Sequence, residues 1–97
     1  AVVEGHPELS FAALAGAPVL ASKRSWAGSA VRRSLLTGAG IHLDVDLGEV
    51  GRQAAVDDVV DAAVLAWTAM RVASGAAVCR PDPPEVFSDG WPAAIWT

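Results

Sequence analysis

The stretch DDVVDAAVLAWTAMRVASG, residues Asp57 to Gly75, decides the fold of this chain. Its opposite sides are both largely apolar, and a helix that is apolar nearly all round is typical of a buried core helix. The stretch therefore predicts one long central helix with a largely buried Trp67. The apolar positions that recur at helical spacing are Val59, Val60, Ala63, Trp67 and Met70.

Three aspartates crowd the first turns of this predicted helix, at Asp57, Asp58 and Asp61. Like charges three or four residues apart repel each other on a helix surface. Two explanations stay open: an N-cap and the helix dipole favour carboxylates near the N-terminus, or a bound cation neutralises them. The helix taken alone favours the first explanation.

Composition narrows the class of protein. The chain has 97 residues, which suits one domain or part of one, and 53% hydrophobic residues with a mean hydropathy of +0.37 exclude disorder. With a net charge of −4, a nucleic-acid binder needs a local basic patch.

Cys79 is the single cysteine, which fits a reducing compartment, so we expect a cytoplasmic protein. No apolar run approaches the roughly 20 residues of a membrane span, and we expect no membrane partner.

The first part of the chain predicts a strand and two helices. Residues 1–5 have strand character and place Glu4 and His6 on one face. A short helix is expected from Pro7 to Ala15, because proline suits the first helical position and Gly16 is a ready stop. Ser25 is a candidate N-cap for a second helix over residues 26–37. The apolar face of that helix is expected at Trp26, Ala30, Val31, Leu35 and Leu36.

The remaining segments flank the long helix. The strict alternation of IHLDVDL, residues 41–47, is the pattern of a half-exposed strand, and residues 48–56 form a linker or a short helical turn. Pro81, Pro83 and Pro84 argue against regular structure after the long helix. Residues 95–97 are expected to form a closing edge strand.

Four of the seven basic residues fall close together at Lys23, Arg24, Arg32 and Arg33. Such a run is usually a solvated face. The alternative is a patch that contacts phosphates. His6 also has two interpretations, since it can cap the first helix or line a site beside Glu4.

Several segments together resemble the C-terminal half of the domain-of-unknown-function family 429, which comprises predicted nucleases of the RNase H-like superfamily. The resemblance implies a partial RNase H-like fold of the α/β class, ordered strand–helix–helix–long buried helix–short strand. We expect residues 1–97 to be a single domain that forms the C-terminal part of a larger one. The segments that carry the resemblance are EGHPELSF, SKRSWAG with Arg32 and Arg33 downstream, DDVVDAAVLAWTAMR and DGWPAAIW.

The resemblance also implies roles for individual residues. Glu4 matches a strand carboxylate of the superfamily, and Asp58 and Asp61, followed by Ala62, match its helical D-x-x-D-A pair. These three are the implied catalytic residues and ligands of Mg²⁺ or Mn²⁺ for phosphodiester hydrolysis. The implied substrate-binding residues are Lys23, Arg32, Arg33 and His6.

The chain departs from the superfamily pattern in one respect. The aspartate of the superfamily's first strand has no counterpart in these 97 residues. We therefore expect an N-terminal half or a second copy to complete the sheet, with nucleic acid as the partner of the whole protein. The alternative is a non-catalytic interaction module or an inactive fragment.

Overall fold

A computed structural model of the protein describes residues 4–43, 46–86 and 92–97, with the backbone alone for residues 80–86 and 92–94. The α/β class and the order from first strand to long helix to closing strand are confirmed, and a short helix and a further strand are added to them. The described elements are β1 (Glu4–Gly5), α1 (Pro7–Ala15), α2 (Trp26–Gly38), α3 (Glu49–Gln53), α4 (Val56–Ser74), β2 (Cys79–Val86) and β3 (Pro92–Trp96).

The first two helices begin and end close to the predicted residues. α1 starts at Pro7 and is closed by Gly16 in the left-handed conformation. Ser25 caps α2 through its side chain, as predicted, and the helix runs one residue past the expected end. His6 occupies the N-cap position of α1 but makes no side-chain capping bond. Of the predicted first strand, residues 1–3 lie outside the described residues.

The buried face of α4 is rotated from the predicted one. Val60, Val64 and Thr68 are the buried residues, four positions apart, whereas Met70 is 55% exposed. Trp67 is partly buried and packs against the core, and the Arg71 guanidinium lies 4.7 Å from the centroid of its ring. The indole therefore lies at the border of the core, shared with a cation, and not in its fully buried centre.

The core lies where α1 and α2 pack on α4. Phe11, Leu36, Val60 and Val64 form its buried centre. Burying an apolar side chain of this kind contributes about 1.5–3 kcal/mol. The Ser10 and Thr68 hydroxyls meet 2.7 Å apart within the interface between α1 and α4. One hydroxyl donates to the other, and this hydrogen bond offsets part of the cost of burying two polar groups in the core. None of the described helices has the length and apolar character needed to cross a membrane.

α2 turns an unexpected side towards this core. Its buried residues are Gly28, Arg32 and Leu36, spaced four apart, and Arg32 is only 1% exposed. Trp26, predicted to lie on the apolar face, is 87% exposed. The apolar-face prediction is confirmed at Leu36, which is in the core, and at Leu35, which packs against it. It is wrong at Trp26 and at Val31, which is 44% exposed, because a small residue and a paired arginine occupy the rest of the buried stripe.

The described strands form one mixed sheet in the order β1-β3-β2. β1 runs parallel to β3 and β2 runs antiparallel to it. The closing strand β3 is therefore central in this sheet and not an edge strand. The prediction that the prolines prevent regular structure is also wrong: β2 is an edge strand, and residues 81–84 fall at an irregularity between the Arg80–Ile95 and Glu85–Ala93 pairs. Proline is tolerated at sheet edges and bulges because no ladder donor is needed there.

The segment 41–47 is not a strand in its described residues. Ile41 to Leu43 and Asp46 to Leu47 have no strand partner, and Asp44 and Val45 lie outside the described residues. Ile41 and Leu43 pack against the core instead. The period-two pattern was correct that Ile41 and Leu43 turn inward and wrong about Leu47, which is exposed. It was also wrong about the backbone, since a strand requires a neighbour to pair with.

Candidate nucleic-acid interface

A tight turn leads into α2 and carries Lys23 and Arg24. The Ser25 hydroxyl accepts a hydrogen bond from the Gly28 N–H (2.9 Å) and donates one to the Ser22 carbonyl (2.7 Å). The Ser22 hydroxyl in turn accepts from the Arg24 N–H at 3.2 Å. Serine side chains commonly bond to nearby backbone groups in this way. The two serines therefore fix where the neighbouring basic side chains leave the backbone.

The Arg32 side chain connects this turn to α1 and α2 through hydrogen bonds. Its Nη1 donates to the carbonyl oxygens of Ala21 (2.7 Å) and Gly28 (3.0 Å). Its Nε donates to a Glu8 carboxylate oxygen at 3.2 Å, and its Nη2 pairs with the other oxygen of the same carboxylate. The guanidinium thus joins α1, α2 and the turn. We call Arg32, Glu8, Ala21 and Gly28 the arginine clamp.

Gly28 lets the turn lie directly on α2. A Cβ atom at this position would lie 1.8 Å from the Ser22 carbonyl oxygen and 2.9 Å from that of Ala21. Both obstacles are backbone atoms, so no side-chain rotation could relieve the overlap. The sequence thus has glycine inside a helix, at a cost of about 1 kcal/mol relative to alanine, because only glycine permits this approach.

The basic turn pairs with the acidic start of α4. The Lys23 ammonium lies 2.8 Å from Asp61 Oδ2, and Arg24 Nε lies 3.9 Å from Asp57 Oδ2. The N-cap of α4 is Ala55, which offers no capping side chain. The cation that offsets the crowded carboxylates therefore comes from the protein itself, while the helix dipole still favours their position.

The hydrogen bond to Asp61 raises the pKa of Lys23 above its ordinary value, against a smaller opposing effect of burial. The negative charges of Asp61, Asp57 and Glu8 act in the same direction. Lys23 is therefore fully charged at neutral pH.

An open cleft of about 480 Å³ lies between the start of α2 and the start of α4. Three cationic side chains and one carboxylate line it, beside two serines and an exposed tryptophan. We call it the basic cleft. Its lining residues are Lys23, Arg24, Ser25, Trp26, Ser29, Arg33, Val56 and Asp57.

The structure separates the four predicted substrate-binding residues. Lys23 and Arg33 line the basic cleft, as a phosphate-binding role requires. Arg32 does not fit this role, because it is buried and its guanidinium is occupied by the arginine clamp. His6 is exposed at the start of α1 and does not line the basic cleft.

Sequence reasoning missed Arg24, Trp26 and Ser29 as cleft residues. Arg24 belonged to the basic cluster, yet it was not assigned a phosphate contact. Trp26 was assigned to the apolar face of its helix. One signal was present in the sequence: Trp26, Ser29 and Arg33 recur at intervals of three and four residues, which places them on one side of a helix.

The predicted metal ligands are not assembled into a metal centre. Among the residues that the structure describes, no three or more His, Cys, Asp or Glu side chains are grouped to hold an ion. Glu4 and Asp58 are exposed, and Asp61 is already paired with Lys23. Asp61 Oδ1 is buried and accepts no hydrogen bond from the described residues. One such oxygen is a single ligand, so the residues as placed do not fit the two-ion centre that the resemblance implies.

Comparison with protein families gives one match. The model of the family described as protein of unknown function (DUF429) matches residues 1–86. The chain therefore belongs to this family, as its motifs indicated, and DGWPAAIW, residues 89–96, lies entirely beyond the matched residues. No curated protein and no solved structure matches the chain.

Proposed function

We propose that this member of the DUF429 family binds the phosphodiester backbone of nucleic acid in the basic cleft. In the complete protein, we propose, the cleft holds the substrate of a metal-dependent nuclease with an RNase H-like fold. One observation carries the proposal: three cations meet in a single open cleft on a chain whose net charge is −4. A local basic patch is the feature that an acidic nucleic-acid binder needs.

The donors in the cleft suit phosphate oxygens. Arginine forms bidentate bonds with phosphate, and serine hydroxyls are frequent partners of the nucleic-acid backbone. The Arg24 side chain is 85% exposed, and its separation of 3.9 Å from Asp57 is long for a charge-assisted hydrogen bond. Little is lost when Arg24 leaves that carboxylate for a phosphate.

The support beneath the cleft also favours a binding role. A merely solvated charge run needs no fixed backbone, whereas this one rests on a buried arginine, a glycine contact and two serine bonds. A preorganised site binds more tightly, because less conformational freedom is lost on association. The arginine clamp thus gives the basic turn the rigidity that recognition requires.

The nuclease part of the proposal rests on family resemblance and on proximity. Asp57 lines the cleft, and Asp61 is bonded to a cleft lysine, so carboxylates lie beside the proposed phosphate position. The remaining ligands of a two-ion centre would come from an N-terminal half or a second copy. β1 is an edge strand of the described sheet and is a suitable place for such a strand to pair.

A non-catalytic nucleic-acid-binding module is the second candidate. The specific observation that favours it is the lack of a metal-binding group of three among the described residues. Incubating the full-length protein with a labelled oligonucleotide and Mg²⁺ or Mn²⁺ separates the two. Cleavage that disappears on chelation supports the nuclease, and binding without cleavage supports the module.

The proposed backbone binding is tested with the double variant Arg24→Gln/Arg33→Gln. Affinity for a labelled single strand is measured by fluorescence anisotropy across a range of salt concentrations. The slope of log K against log salt is negative, and each lost phosphate contact makes it less steep by about 0.7 for a single strand. The slope of the double variant should therefore be less steep than that of the original protein by about 1.4. Lys23 is left in place because its removal would also leave Asp61 without its partner.

Arg52→Gln is the matched control. It removes one positive charge by the same Arg→Gln exchange from α3, where Arg52 pairs with Glu49 at 2.5 Å and does not line the basic cleft. The control should retain the slope of the original protein. An unchanged slope in the double variant, or an equal loss in Arg52→Gln, contradicts the proposed site.

A further inference from the structure

Trp26 is not buried and therefore does not contribute to the core of the fold. It lies in the first turn of α2, it is 87% exposed, and it lines the basic cleft. The core consists of other side chains. An apolar ring this exposed, beside Arg24 and Arg33, has the arrangement by which proteins bind single strands: an aromatic platform next to cations.

We propose that Trp26 stacks on an unpaired base and that the basic cleft therefore takes single-stranded nucleic acid. The inference rests on the backbone binding proposed above and specifies the form of the substrate. A base inside a duplex has both faces covered by its neighbours, so an aromatic side chain cannot stack on it without flipping it out. An unpaired base presents a free face, whatever its identity.

A second apolar side chain of the cleft supports the stacking proposal. Val56, at the start of α4, is 65% exposed and lines the same cleft as the indole. A base held in the cleft can therefore contact apolar surface besides the indole, while its phosphates meet Arg24 and Arg33. The cleft volume of about 480 Å³ lies within the range of pockets that hold small organic ligands, about 300–1,000 Å³.

The test compares three ligands of equal length: a thymidine single strand, an abasic single strand with the same phosphates, and a duplex. Affinities are measured by fluorescence anisotropy at one salt concentration for the original protein, Trp26→Ala and Trp26→Phe. Leu20→Ala is the control, because Leu20 is 94% exposed and does not line the cleft. It removes an exposed apolar side chain without touching the proposed platform.

The thymidine strand should bind more tightly than the abasic strand by roughly 5- to 150-fold, the range of one stacked base, and more tightly than the duplex. Trp26→Ala should remove the advantage of the thymidine strand and leave the affinity for the abasic strand unchanged. Trp26→Phe should keep most of the advantage, because phenylalanine also offers a ring face. Leu20→Ala should bind all three ligands as the original protein does.

Equal binding of thymidine and abasic strands overturns the stacking inference and leaves backbone binding intact. A preference for the duplex also overturns it. Failure to bind any of the three ligands overturns both proposals together. If no ligand binds and Trp26→Ala instead abolishes self-association, the ring belongs to a protein interface and the stacking inference is likewise overturned.

Discussion

Arg32 and Arg33 are neighbours in the sequence but lie on different sides of α2, the first buried and the second lining the basic cleft. The buried side has Arg32 at its centre, 1% exposed and bonded to α1, to the turn before α2 and to a carbonyl of its own helix. The cleft side has Arg33, one residue further on, beside the exposed Trp26. Successive residues on a helix point about 100° apart. A cluster of charges in the sequence can therefore divide into one residue that stabilises the fold and another that lines an open cleft.

The aspartates at the start of α4 differ in the same way, since one is held in an ion pair and another is exposed. Asp61 is tied to Lys23 at 2.8 Å, whereas Asp58 is exposed in the same turns. The sequence allowed either a dipole and cap or a bound cation to offset these charges. In the structure the dipole is accompanied by cations from the chain, and Ala55 provides no side-chain cap.

The largest expected effect separates the two arginines of α2. Arg32→Met removes a buried guanidinium and leaves Glu8 and two backbone carbonyls without their donor. Hydrogen bonds to a charged group contribute about 1.5–3 kcal/mol each, so losing the two to the carbonyls should cost about 3 kcal/mol or more. The Glu8 side chain, 37% exposed, can be solvated and adds less. Arg33→Gln should cost well under 1 kcal/mol, as is usual for substitutions outside the core. Urea denaturation of both variants gives the two free energies of unfolding, and equal losses would remove the distinction between the two sides.

The second effect concerns two glycines of the same helix. Gly28→Ala places a Cβ atom 1.8 Å from a backbone oxygen, so the turn must move. Overpacking of this kind costs about 1–3 kcal/mol. Gly38→Ala meets nothing within 4 Å and should be neutral or stabilising by up to about 1 kcal/mol, because alanine favours the helix. Denaturation midpoints measure both changes, and a Gly28→Ala variant as stable as Gly38→Ala would show that the turn does not rest on α2.

Local signals in the sequence predicted the helices well. Pro7, Gly16, Ser25 and Gly75 mark helix ends because each acts through its own backbone or hydroxyl chemistry. The family was also recognised, because its motifs are contiguous.

What the sequence did not predict depends on contacts between distant segments. No local pattern shows that Arg32 would meet Glu8, or that Lys23 would meet Asp61. The strand predicted over residues 41–47 failed for the same reason, since its described part has no neighbour to pair with. Pro81 to Pro84 were misjudged because a bulge on an edge strand tolerates residues that a central strand excludes.

A smaller effect tests which cation offsets the aspartates. Asp61→Asn should lower the melting temperature of the metal-free chain by a few degrees, roughly 5 °C, because Lys23 loses its charged partner. Asp58→Asn, at an exposed position, is the control and should change it little. Thermal unfolding is repeated with millimolar Mn²⁺, which should shift neither curve in this chain. If Asp61→Asn instead stabilises the metal-free protein and removes a Mn²⁺-induced shift, Asp61 is a metal ligand and the nuclease proposal gains its centre.

The smallest effect is a dependence of the free energy of unfolding on pH, and it comes from the pairing of Lys23 with Asp61. The pKa of Lys23 is raised in the folded protein above its ordinary value of 10.5, chiefly by the hydrogen bond to Asp61. A raised pKa means that the folded state binds the proton more tightly than the unfolded state. This contribution to stability is therefore fully present below pH 10.5 and is lost as the pH rises through the higher folded value.

The chain offers a clean measurement of that loss. Lys23 is its only lysine and it has no tyrosine, so no second ammonium or phenol side chain titrates in the same window. The free energy of unfolding is measured by urea denaturation at several pH values from about 9 to 12, around the ordinary lysine pKa, for the original protein and for Lys23→Met. The original protein should lose stability more steeply above pH 10.5. The variant keeps Cys79, so the difference between the two curves isolates the ammonium from the thiol. Parallel curves would mean that Lys23 is not held by Asp61 in solution, and the basic turn would then lack its link to α4.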